Sequence, residues 1–221
     1  MRKPCIWMVL TAIAPILSTV PAQAAGLAVS GRSGTLGLGG ELNVNLLVDL
    51  NARFGATFFS LDFDEEFDDV EYDLDIDLQN FPLSLDWYPF DDSFHLTGGI
   101  IINDSNIRLD ATPLGEVTIG DNTYTAGELG RLRGEADFNQ VAPYVGIGWG
   151  NAFGSDRRWG FMTDLGIAFI GSPDVSLSAT GTIAGDPAFA DDIAEEEQEI
   201  EDDLEDFKIY PVLSLSLFFR F

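Results

Sequence analysis

The chain is poor in the residues on which most enzymes and most secreted scaffolds depend. It has one cysteine, Cys5, one histidine, His95, and only 11 lysines and arginines against 37 aspartates and glutamates. A lone cysteine forms no disulfide within the chain, and Cys5 lies too early, ahead of an apolar stretch, to resemble a lipoprotein acylation site. One imidazole excludes a metal site built on several histidines, and a serine hydrolase would have to use His95 as its base. The geometric demands on a catalytic base favour a structural or solvated role for this residue, which sits beside Phe94 near a short turn. A formal charge of -26 excludes nucleic-acid binding by general charge, since such a surface repels phosphates. Beyond residue 25, no run approaches the roughly 18 consecutive apolar residues of a spanning helix.

Apolar side chains, in contrast, are plentiful. The hydrophobic fraction is 46%, and 17 phenylalanines stand among the 221 residues, far too many for an acidic disordered chain. At this length a single domain is the default. Arg2 and Lys3 precede a mostly apolar stretch from Ile6 to Val20, and Ala22-Gln23-Ala24 is the small-x-small pattern of a secretory cleavage site. Residues 1–24 therefore read as a signal peptide and 25–221 as one domain. The alternative, a membrane anchor, needs a longer span than one interrupted by Pro15 and Pro21.

The mature part alternates with period two, the pattern of strands with one apolar and one polar or small face. Leu36, Leu38, Leu42, Val44 and Leu46 oppose Gly37, Gly39, Glu41, Asn43 and Asn45. The same alternation recurs near 94–103, 141–150 and 159–170. Around Phe58-Phe59, and again between Leu78 and Phe81, the phase slips, which reads as β-bulges. Seven strands are expected at about 35–46, 51–63, 70–87, 94–110, 132–150, 159–170 and 208–221. An eighth is either the start, Leu27 to Arg32, or Val175 to Ile183; the first is preferred because it puts the short links on one side and the long ones on the other. The second face is rich in Gly, Ala, Ser and Asn, which suits a narrow barrel lumen better than a solvent face. Trp87, Tyr88, Phe90, Trp149, Trp159 and Tyr210 gather at strand ends, where an interfacial girdle belongs.

At the C-terminus Leu213, Leu215, Leu217, Phe219 and Phe221 alternate with Ser214, Ser216, Phe218 and Arg220. With Tyr210 upstream, this resembles the last strand of small Gram-negative outer-membrane β-barrels of the OmpA or OmpW type; the stretches Gly34 to Leu38 and Ala142 to Trp149 add to the likeness. The resemblance implies a cell outer-membrane location, contact with outer-membrane lipid and lipopolysaccharide, and recognition of Tyr210, Leu215, Leu217, Phe219 and Phe221 by the barrel-insertion machinery. The fold class expected is all-β: a single antiparallel transmembrane barrel of eight strands, with an acidic amphipathic helix in a long loop before the last strand.

Three long links then face outward. Residues 62–77 hold ten acids, and 111–131 read as an extended hairpin turning at Asp121-Asn122. Residues 186–207 read as a helix, with Asp186 as cap, Pro187 in the first turn, and an apolar stripe of Phe189, Ile193, Ile200, Leu204 and Phe207 resting on the barrel rim or on a second copy of the chain. The helix's opposite face is almost wholly acidic. Hard cations take carboxylate oxygens, so Asp64, Glu66, Asp68, Glu196 and Glu199 are candidate ligands for calcium or magnesium. An EF-hand is excluded at Asp62, because its sixth position is Phe67 rather than glycine.

If the apolar rows face lipid, Glu41, Arg53, Asp86, Asp164 and Arg220 point inward, and in a narrow barrel they are expected to pair into one salt-bridge network. No catalytic set and no resident cofactor is expected. Two functional readings remain: a structural or surface-interaction protein whose acidic outer segments meet divalent cations or a basic partner, or a narrow channel for small solutes. An enzyme acting on outer-membrane lipid is a distant third.

Overall fold

A computed structural model describes residues 26–67, 70–90, 93–204 and 208–221, so the expected signal peptide lies outside the described residues. Eight strands form the wall: β1 (Leu27–Gly34), β2 (Gly37–Leu47), β3 (Leu50–Phe67), β4 (Val70–Trp87), β5 (Phe94–Asn103), β10 (Val141–Trp149), β11 (Trp159–Phe169) and β13 (Ile209–Arg220). All pairings are antiparallel, and β4 pairs with β5 as well as with β3, which closes the sheet on itself. Closure removes the sheet edges, and with them the unpaired backbone groups that lipid cannot satisfy. The starting segment Leu27–Gly34 is the eighth wall strand, wedged between β2 and β13.

The wall's two faces follow the sequence alternation. Leu38, Phe54, Leu85, Trp87, Val145, Phe161, Leu165, Leu215 and Leu217 are exposed on the outside, while Ser30, Glu41, Asn43, Arg53, Thr97, Asp164, Ser214 and Ser216 are buried inside. An exposed apolar band around a polar interior is stable only in lipid. No helix among the described residues is long and apolar enough to cross a membrane. The links at 48–49, 88–90 and 150–158 lie at one end together with both ends of the described chain, and the long excursions lie at the other. By the usual asymmetry of such barrels the long side is the outer one.

At that outer end the strands outgrow the barrel. Only the lower half of β4, Asn80 to Trp87, pairs with β5. Its upper half, Val70 to Asp77, pairs instead with β6 (Asn106–Pro113), which pairs with β9 (Leu132–Asp137), which pairs with β12 (Asp174–Ala179). The upper halves of β3 and β4 with β6, β9 and β12 thus form an external sheet continuous with the wall. Two expected long strands, 94–110 and 132–150, are each two strands, broken where the chain leaves the barrel at Asp104-Ser105 and at residues 138–140. The segment at Val175 is a strand, but of this external sheet and not of the wall.

The phase slips are not bulges. Phe54 pairs with Leu83, Thr57 with Asn80 and Phe59 with Leu78 in one unbroken register; the shift that does occur lies between Asn45 and Leu47, beside the β2–β3 turn. What changes is the environment. Below Phe58 the outer face of β3 meets lipid and the inner face the polar lumen. Above the rim the former lumen face carries Phe59, Leu61 and Phe63, opposite Leu78, Ile76 and Leu74, while the other face carries Ser60 and Asp62 opposite Asp77 and Asp75.

Helix α1 (Ala126–Leu129) follows the hairpin of β7 (Glu116–Ile119) and β8 (Asn122–Thr125), and α2 spans Pro187–Asp203. Asp186 caps α2 by accepting from the Ala188 N–H at 2.8 Å, with proline at the start as expected. The first part of the α2 stripe rests on the hairpin and α1 rather than on the barrel rim. Phe189 is buried with Ile119, Tyr124 and Leu129, and Ile193 packs against that cluster, so the hairpin and α1 receive it. Phe207 lies outside the described residues.

Candidate functional site

The lumen charges come from five wall strands whose alternation turns them inward at one level. Arg53 on β3 is 2% exposed and is the hub. Its Nη1 and Nη2 donate to Asp164 at 2.9 and 2.8 Å, Nη2 also donates to Asp86 at 3.0 Å, and Nε lies 2.8 Å from Asp86 Oδ2. Glu41 Oε2 stands 3.9 Å from Arg53 and accepts from Ser216 at 3.4 Å, while its other oxygen pairs with Arg32 of β1. Thr97 donates to Asp86 at 2.8 Å and Ser214 to Asp164 at 3.0 Å. Multiple donors per carboxylate are what make ion pairs tolerable away from water.

Of the five expected lumen charges, Glu41, Arg53, Asp86 and Asp164 therefore come together. Arg220 does not: it has the inward parity but sits at the end of β13, opposite Ala28, and makes no side-chain ion pair among the described residues. Two members were missed. Arg32 sits one register step from glycines in a segment too short to show a strong alternation. His95 is wholly buried, with Nε2 3.0 Å from Asp164 Oδ1, so it belongs to the network and is not solvated. Its inward parity beside Thr97 was the available signal. Asp164 lies between Ser214 and His95, so the imidazole meets the carboxylate and not the hydroxyl; the residue types of a hydrolase triad are present in an order that cannot activate the serine.

Below this level Tyr88 turns inward. It is 2% exposed, its ring lies 5.1 Å from that of His95, and its hydroxyl donates to Gly150 O at 3.3 Å, so it belongs to the interior and not to the girdle. Trp87, Phe90, Trp149 and Trp159 are exposed on the outside as expected, with Phe94 and Trp149 stacked edge-on at 5.3 Å. Met162 and Phe218 are buried with Ala28 and Ala152 at this same end. Above the charges, at the outer mouth, a cavity of about 120 Å³ is lined by apolar side chains such as Leu36, Leu78, Ile101 and Ile107 together with the polar Asn80, Asn103 and Ser105.

Outside the membrane, α2 uses its acids on the chain itself. Glu201 accepts from the Val175 N–H at 3.0 Å and Glu197 from the Leu177 N–H at 2.6 Å, which satisfies outward-facing donors of β12, the last strand of the external sheet. Glu196 accepts from Gly120 N–H at 2.9 Å, and Asp192, itself buried, accepts from Asn122 and from the Tyr124 hydroxyl. The hydrogen bond to Asp192, with burial second, pushes the Tyr124 phenol up to about 12. The acidic face of α2 is thus partly a set of backbone and side-chain acceptors, and the candidate ligand Glu196 is one of them. Glu199 is exposed; the side chains of Asp64 and Glu66, and Asp68 entirely, lie outside the described ones. Among the described residues no three His, Cys, Asp or Glu side chains converge as metal ligands.

Two crystal structures from Acinetobacter baumannii share this architecture. CarO is 20% identical over 91% of this chain and 100% of its own, with a TM-score of 0.57. CarO2 is 20% identical over 89% of this chain and 98% of its own, with a TM-score of 0.58. The chain folds as a small outer-membrane β-barrel. At that identity the likeness establishes the fold, and no protein-family model and no curated protein matches the sequence. The barrel's terminal strand carries Leu215, Leu217, Phe219 and Phe221 on its exposed face, while Tyr210 is half-buried and its hydroxyl donates to Thr35 O at 2.7 Å, tying β13 to the β1–β2 turn.

Proposed function

We propose that this barrel is closed and serves surface interaction: the wall anchors the chain, and the external sheet with its hairpin and helix meets the partner. The observation that carries the reading is the lumen. Arg53 reaches Asp86 on the adjacent strand β4 and crosses the interior to Asp164 on β11, a strand that β3 does not pair with, while Glu41, Arg32 and His95 fill the same level. Eight strands leave an interior just wide enough for side chains, so a cross-section filled in this way leaves no room for a hydrated solute. A narrow channel would need these ion pairs to part, at a cost of several kcal/mol for each charge stripped of its partner.

Single-channel recording of the purified, refolded protein in planar bilayers tests the reading. The expected result is a baseline no different from lipid alone. Uniform stepwise openings would replace the surface-interaction reading with that of a small-solute channel.

A role for calcium or magnesium is supported by the one-turn pair Glu195 and Glu199 among the acids that α2 turns to solvent, which also include Asp191, Asp202 and Asp203, since Glu196, Glu197 and Glu201 already serve as acceptors within the chain. Calorimetric titration of calcium into the refolded protein, beside a variant with Glu195 and Glu199 changed to Gln, tests it. Saturable heat in the parent that the variant loses supports the role, and equal heats in both proteins overturn it.

A further inference from the structure

The external sheet has two edges, and the chain treats them differently. At β12 the helix α2 lies alongside and its Glu197 and Glu201 carboxylates accept the outward N–H groups of Leu177 and Val175. At the other edge β2 pairs with β3 only as far as Phe58, level with the tight β1–β2 turn, and β3 runs on to Phe67. From Phe59 upward β3 pairs on one side with β4 and with no other strand among the described residues. Half of the backbone donors and acceptors of this stretch therefore face outward, an open template of the kind that natural sheets usually blunt or cover.

The side chains on this edge specify what fits. One face carries Phe59, Leu61 and Phe63, which are 44%, 44% and 50% exposed. The other face carries Ser60 and Asp62, directly opposite Asp77 and Asp75 on β4. Like charges paired across strands destabilise a sheet, and the neutralising guanidinium of Arg108 is one strand further in, across from Asp75 and bonded to Glu135.

We infer that the outer edge of β3, from Phe59 to Phe67, is a docking strand for an extended peptide segment that alternates apolar and basic residues. Such a segment adds a strand to the external sheet. Its backbone takes the free ladder groups, its apolar residues cover Phe59, Leu61 and Phe63, and its lysines or arginines face Asp62, Asp75 and Asp77. A second copy of this chain fits the edge badly. Two barrels in one membrane related by a two-fold axis along the membrane normal would present parallel edges with opposite faces, setting apolar rows against acidic ones, and would add acid to acid. The inference rests on the surface-interaction reading and specifies its partner. The two fail separately: channel openings would overturn that reading and leave edge binding intact, and an inert edge would leave the lumen closed.

The test uses the full refolded protein in nanodiscs and a fluorescent ten-residue peptide alternating valine and lysine. Its controls are a scrambled peptide of the same composition and an alternating peptide N-methylated at every second residue. Anisotropy should give saturable binding of the alternating peptide at least tenfold tighter than of either control, with new hydrogen-exchange protection confined to backbone amides of 59–67. Asp62→Lys should weaken the lysine peptide about tenfold and favour the glutamate analogue, and Leu61→Lys should weaken both. Heat-modifiable migration of each variant shows that its barrel has formed. Equal binding of all three peptides would mean general attraction to an acidic protein and would overturn the inference, as would no saturable binding at all. Protection of 59–67 by lipopolysaccharide alone, undiminished by peptide, would assign the edge to lipid and equally overturn it.

Discussion

Replacing Arg53 with methionine removes the side chain that, among the described residues, joins Glu41 to both Asp86 and Asp164. The partners left behind are Asp86, which keeps Thr97, and Asp164, which keeps His95 and Ser214. Breaking a buried pair by deleting one partner costs about 3–5 kcal/mol, because the stranded charge keeps its desolvation penalty. With 1.36 kcal/mol to each factor of ten, the folding equilibrium constant should fall by roughly two to four decades. For a urea slope of about 2 kcal/mol/M, the unfolding midpoint in lipid should drop by about 2 M. Tryptophan emission is a suitable probe, since Trp87, Trp149 and Trp159 are exposed on the lipid side and pass into water on unfolding. The decisive companion is Arg53→Met with Asp86→Asn and Asp164→Asn, which removes the charges with their counter-charge and should recover most of the loss. A single variant with the parent's midpoint, or a triple variant no better than the single, would refute the view that these charges act as one buried network.

The closed barrel should resist carbonate washing and migrate heat-modifiably in detergent gels; recovery as a soluble periplasmic protein would contradict the fold assignment. Phe221→Ala or loss of Phe221 should lower membrane insertion, which follows from the resemblance of the last strand, while Arg220→Lys should insert normally, as measured by membrane yield. Gly37, at φ +105° in the β1–β2 turn with Phe58 O 2.5 Å from where a Cβ would sit, should tolerate alanine poorly, by about 1–3 kcal/mol in the same urea titration. For Tyr124, whose phenol is raised from 10 to about 12, the stabilisation is fully present below pH 10 and is lost as pH rises towards 12. Ultraviolet titration should therefore show one fewer tyrosine ionising by pH 11 in the parent than in Asp192→Ala.

The alternation in β2, β5, β10, β11 and β13 was legible without coordinates because a wall strand has the same two surroundings along its whole length: lipid outside and a polar lumen inside. The residues that carry it, such as Leu38 against Gly39 or Leu215 against Ser216, state their faces directly. So did the inward parity of Glu41, Arg53, Asp86 and Asp164, since a charge in a transmembrane strand has one tolerable direction.

The longest strands were misread for the converse reason. In β3 and β4 the surroundings change at Phe58 and Asn80 while the backbone continues unbroken, so a switch of polarity between faces imitated a bulge. Whether Arg220 joined the Arg53 cluster depended on height along the barrel, which a period of two does not encode. The inclusion of Arg32 and His95 depended on which strands become neighbours after closure. Sequence alone determined that this chain crosses a membrane by strands, because alternation is a local consequence of the pleat. Only the tertiary structure decided where the wall ends, which acids of α2 serve as acceptors for β12 and the hairpin, and which sheet edge stays open, because each of these is a pairing between residues distant in the chain.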